Sequence, residues 1–73
     1  MGTRAHWFYE SGYFAVEVDE DGEDRLTKKY VIGITDAKEE FAHADAMRVY
    51  RQGRWGNRLH GTYVRKGNRL VKI

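Results

Sequence analysis

Apolar and polar residues alternate most cleanly from Tyr13 to Asp19. Phe14, Val16 and Val18 point one way there, and Tyr13, Ala15 and Glu17 the other. A period of two is the mark of a half-buried β-strand. The shorter run His6 to Glu10 reads as its partner, because Ser11-Gly12 has the composition of a two-residue turn. With Glu10 opposite Tyr13, Tyr9 would face Phe14 and Trp7 would face Val16, on the same side as Val18. A further strand is expected from about Leu26 to Ile34, with Tyr30, Ile32 and Ile34 on one face.

The period then changes. Asp36 is a good N-cap, and Glu39 completes a capping-box-like pattern. Ala37, Phe41 and Ala44 form one stripe, and Ala42, Ala46, Val49 and Tyr50 another, so a helix is expected to run on to Gly53. Acids in its first turn and Arg48 and Arg51 in its last would suit the helix dipole. The stretch Met47 to Arg51 also fits a strand after a shorter helix, and the pattern leaves both readings open. Gln52 to Leu59, punctuated by Gly53 and Gly56, reads as a loop. Gly67-Asn68 is a turn joining about His60–Lys66 to Arg69–Ile73. In that hairpin Val64 meets Val71 and Thr62 meets Ile73 on an expected core face. Tyr63, Arg65, Leu70 and Lys72 fall on an expected open face.

The elements add up to one α+β domain over residues 1–73, in the order ββ-β-α-ββ: an antiparallel sheet of about five strands with one helix across it. A chain this short buries only about 60% of its unfolded surface. It has no Cys to staple it, so the core alone must hold the fold. The missing Cys leans towards a reducing, cytoplasmic setting. No apolar run approaches the roughly 20 residues that span a bilayer, and Met1 to His6 lacks the apolar stretch of a signal peptide. No membrane contact is expected.

Charge changes the picture. Residues 46–73 hold eight bases (Arg48, Arg51, Arg54, Arg58, Arg65, Lys66, Arg69, Lys72) and no acid. The first 45 residues hold all eleven acids against five bases, so the net +2 hides a strong dipole. Tyr50, Trp55 and Tyr63 are interleaved with the bases, as on a surface that meets phosphate. The bland alternative is that these side chains keep a small domain soluble and cover core edges with their stems. Soluble surfaces usually mix signs, however. The candidate nucleic-acid or partner-binding residues are Arg48, Arg51, Arg54, Trp55, Arg58, Tyr63, Arg65, Arg69 and Lys72. Trp55 reads first as a core plug or loop anchor and second as a ring that stacks on a base. With no zinc-finger, KH or RRM signature, sequence specificity should be weak.

The acidic run from Glu17 to Asp24 is a second candidate. Asp19, Glu20, Asp21, Glu23 and Asp24 form a solvated turn, a patch that mimics phosphate, a surface for a basic partner protein, or a weak cation site. Its glycine stands at the wrong loop position for an EF-hand, and Tyr30 falls where the final Glu should be. Glu40-x-x-His43 has helical metal-site spacing, but a real di-metal site needs a second copy. No metal and no cofactor are expected. Ser11 is the only serine, and without Cys a nucleophile would need an unusual setting, so no enzyme is expected.

The segment Tyr30-Val31-Ile32-Gly33-Ile34-Thr35-Asp36-Ala37-Lys38, the terminal Tyr63-Val64-Arg65-Lys66-Gly67-Asn68-Arg69 and the strand–helix–hairpin order resemble the small anti-CRISPR proteins of phages and mobile elements that act on type I systems. The resemblance covers Tyr13 to Ile73 and rests on no diagnostic motif. It implies a five-stranded antiparallel sheet with one helix, and a non-enzymatic inhibitor working in the cytoplasm of an infected or lysogenic bacterial host. It also implies binding to the backbone subunit of the Cascade complex along the path of target DNA, in some members with non-specific attraction of double-stranded DNA. A stand-alone nucleic-acid-binding or regulatory module is the alternative. Either would be a monomer, or a weak dimer through an edge strand.

Overall fold

The computed structural model describes residues 12–73. Five strands and one helix follow one another as β1 (Tyr13–Glu17), β2 (Lys29–Val31), α1 (Ile34–Glu40), β3 (Ala46–Gly53), β4 (Gly56–Lys66) and β5 (Arg69–Lys72). The strands make one antiparallel sheet in the order β2-β1-β3-β4-β5. The expected α+β class, with five antiparallel strands and one helix, is what the described residues adopt. The order differs, because three strands follow the helix rather than two. The expected strand His6 to Glu10 lies outside the described residues. β1 is paired on both sides, with Phe14 between Tyr30 and Tyr50.

The helix is the main correction. It stops at Glu40, where the Phe41 N–H closes onto the Ala37 carbonyl at 3.0 Å. Ala46–Gly53 then runs as a strand between β1 and β4. The run from Ala46 to Gln52 fits a period of two as well as one of 3.6. What decides it is the pair of neighbouring backbones, which bond both of its edges. Met47 and Val49 are fully buried, while Arg48 and Tyr50 on the other face are half-buried. The helix also begins earlier than expected. Gly33 is the N-cap, with no side-chain cap bond, and Asp36 in the first turn accepts a hydrogen bond from the Ile32 N–H at 3.0 Å.

α1 covers one face of the sheet. The core joins Ala37, Phe41 and Ala44 to Ala15, Val31, Met47, Val49, Tyr63 and Leu70. One expectation about facing is thereby reversed. The Val64–Val71 register of the last hairpin is as read, yet Tyr63 and Leu70 carry its buried face, each 5% exposed. In β1 the helix lies on the Tyr13 and Ala15 side. Phe14, Val16 and Val18, on the other side, are buried as well. Lys28 Nζ sits 4.4 Å above the Phe14 ring, which stacks on Tyr50 at 5.2 Å.

Candidate nucleic-acid interface

The long β3–β4 hairpin supplies the site. β4 has eleven residues and reaches about 35 Å, close to the 39 Å length of the whole molecule. Among the described residues, β1 flanks β3 as far as Gly12, whose carbonyl accepts the Gln52 N–H at 2.6 Å. At the other edge, β5 pairs with β4 over Tyr63 to Lys66, and the Ile73 N–H bonds the Thr62 carbonyl. Among the described residues, the end of the hairpin beyond these points is therefore a bare two-stranded ribbon. Every residue from Gly53 to His60 is exposed.

What the sequence suggests is a loop is thus a tight turn, Arg54-Trp55, closed by Gly53 opposite Gly56. Gly56 has φ +128°, a conformation that a side chain would strain. Trp55 is 93% exposed at the tip, so it is neither a core plug nor an anchor. The Arg54 guanidinium lies 5.8 Å from its ring. Arg51 stands directly opposite Arg58. Like charges in that position destabilise a bare hairpin, and the Tyr13 ring, 5.3 Å from the Arg51 guanidinium, offsets only part of this. No carboxylate pairs with Arg51, Arg54 or Arg58 among the described residues.

A register shift between Val49 and Tyr50 changes which side of β4 is presented. Val49 faces Gly61 but Tyr50 faces Leu59, so His60 is the extra residue. Bulges of this kind re-aim side chains. Without it Arg58 would share a face with Thr62 and Val64; with it, Arg58 joins Arg51 on the helix side. The opposite side of the ribbon carries Gln52 against Asn57 and Tyr50 against Leu59. Gln52 and Asn57 were not among the residues singled out from the sequence, since nothing in a presumed loop marks them as cross-strand partners.

The remaining candidates are dispersed. Arg48 Nη1 donates to Asp24 Oδ1 at 2.8 Å, and the Tyr50 hydroxyl donates to Asp24 Oδ2 at 2.5 Å. The hydrogen bond to Asp24 raises the Arg48 pKa. Partial burial, then the same carboxylate, raises that of Tyr50. Asp24 thus neutralises Arg48 and ties the acidic segment to the sheet. That segment is a built turn: Asp19 Oδ1 accepts the N–H groups of Asp21 and Glu23, both at 2.9 Å. Glu20, Asp21 and Glu23 remain exposed. Tyr63 is core, which corrects its place on an open face, because α1 packs over that side of β4. Arg65 donates to the carbonyls of Ala42 and Ala44, bracing the turn after α1. Lys72 lies opposite Tyr63, and Arg69 opposite Lys66. Since the helix ends at Glu40, Glu40 and His43 do not share a helical face, and Glu40 instead meets Lys29 Nζ at 3.3 Å. No metal-ligating group of three or more occurs among the described residues, and no helix there is long and apolar enough to cross a membrane. No protein-family model, curated protein or solved structure matches the chain.

Proposed function

We propose that this protein is a non-enzymatic binding module that grips nucleic acid with the β3–β4 ribbon. The carrying observation is a ribbon tip that no other described strand flanks, with three arginines that no described carboxylate pairs and of which two are directly opposed. The major groove of duplex DNA, about 12 Å wide, admits a two-stranded ribbon. Arg51, Arg54 and Arg58 would neutralise phosphates, and Trp55 would pack on sugar or base. With the arginines drawn to phosphates, Gln52 and Asn57 on the opposite side would be left to meet base edges, so recognition would be dominated by the backbone. Charge reversal at Arg51→Glu, Arg54→Glu and Arg58→Glu should abolish retardation of unrelated duplex DNA in a gel shift while the circular dichroism spectrum stays that of the parent. Undiminished retardation by this variant would refute the ribbon as the grip.

A second reading gives the ribbon a protein setting. A five-stranded antiparallel sheet with one helix is what the resemblance to small anti-CRISPR proteins implies, and such a ribbon would suit the DNA channel of Cascade. Here the protein blocks target DNA from binding purified Cascade, and the same triple variant relieves the block. Unchanged target binding in the presence of excess protein would remove this reading and leave the first intact.

A further inference from the structure

At the end of β4 away from the ribbon, three cations from three elements converge. Lys38 of α1, Arg65 of β4 and Arg69 of β5 line an open hollow of about 390 Å³ with Ala42, Asn68 and Leu70. No carboxylate lines it. Arg65 is held by neutral carbonyls, which set its position without cancelling its charge. Asp45 is 4.0 Å from it and 99% exposed, so that pair is weak. Lys38 Nζ rests 5.5 Å over the Tyr63 ring, a contact that likewise cancels no charge. Arg69 faces Lys66 across the turn, a second like-charged pair.

We propose that this hollow binds a phosphate monoester, carried on the end of a nucleic-acid strand or on a free nucleotide. A monoester bears close to two negative charges near pH 7 and three acceptor oxygens. Two guanidinium forks and an ammonium match both, and the Asn68 amide adds a neutral donor. Because Arg65 is already fixed, less side-chain freedom is lost on binding than for a free arginine. The volume falls within the roughly 300–1,000 Å³ of small-ligand sites, leaving room for a sugar against Ala42 and Leu70. Seven strand residues, about 23 Å, separate Arg58 from Arg65, so the site stands apart from the ribbon and does not depend on its role.

The test is a nuclear magnetic resonance titration of the isotope-labelled full chain at constant ionic strength. The probes are inorganic phosphate, adenosine monophosphate, and a trinucleotide with and without a terminal phosphate. Phosphate should give saturable shifts in the amides of Asn68, Arg69 and Leu70 and in the Arg65 side-chain Nε–H. The double variant Lys38→Ala, Arg69→Ala should weaken this by about tenfold or more with its other signals in place. Arg54→Glu with Arg58→Glu should leave it unchanged, which separates this site from the ribbon. Tighter binding of the mononucleotide supports a nucleotide site, and tighter binding of the end-phosphorylated trinucleotide a strand-end site. The proposal is overturned by the absence of saturable shifts, by equal binding of the unphosphorylated trinucleotide, or by parental affinity in the double variant.

Discussion

Tyr50 and Gly61 show how single residues set local stability. The Tyr50 hydroxyl donates to Asp24 and is partly buried, and both effects favour its neutral form, raising its folded pKa. A raised pKa contributes stability that is complete below the unfolded value of about 10 and is lost as pH rises through the folded one. Urea unfolding along an alkaline pH series should therefore show the parent losing stability more steeply above about pH 10 than Tyr50→Phe. Parallel losses would mean that Tyr50 is not the titrating group. At Gly61 a Cβ would lie 3.1 Å from Tyr63 Cε1 and 3.2 Å from Lys72 Cε. Lys72 is exposed and can move, but Tyr63 is locked under α1. Gly61→Ala should destabilise the domain by about 1–3 kcal/mol, read as a lower denaturation midpoint at unchanged m-value.

Among the elements, the ribbon and the helix behave differently. α1 has only seven residues and is too short to persist alone; Ala37, Phe41 and the turn at Ala44 keep it on the sheet. The ribbon tip, by contrast, is held among the described residues by its own ladder and its turn. Gly56→Ala keeps all three arginines but forces a side chain into φ +128°, a strain of about 1–3 kcal/mol. Fluorescence anisotropy should show weaker binding of duplex DNA by this variant, although its charge is unchanged. Binding equal to the parent's would show that charge count, and not ribbon geometry, carries the affinity.

For the whole molecule, the internal pairings decide how much of the formal charge is usable. Arg48 is neutralised by Asp24, and Arg65, held by carbonyls at the far end of β4, keeps its charge away from the ribbon. Arg51, Arg54 and Arg58 remain together at the tip. With about three phosphates neutralised, the plot of log affinity against log salt should have a slope near −3. Arg58→Ala should lower its magnitude by about 1. A slope near −8, as if every base of residues 46–73 took part, would contradict the pairing seen here.

Much of the local architecture was legible in the sequence. Alternation in Tyr13 to Asp19, the turn at Gly67-Asn68 and the Val64–Val71 register all follow from period and turn chemistry, as does the α+β class. Separation of charge along the chain puts Arg51, Arg54 and Arg58 in the basic half without distinguishing them from Arg48 or Arg65. Tertiary contacts decided the rest. Ala46–Gly53 fits either period, and became a strand because β1 and β4 bond both its edges. The face of the sheet covered by α1 is set by packing, so Tyr63 and Leu70 went inward against expectation. Gathering Lys38 with Arg65 and Arg69, and aligning Arg58 with Arg51 through a bulge, join residues that no local pattern connects. Local propensity acts over a few neighbours, whereas faces and sites arise when distant segments compete to bury the same surface.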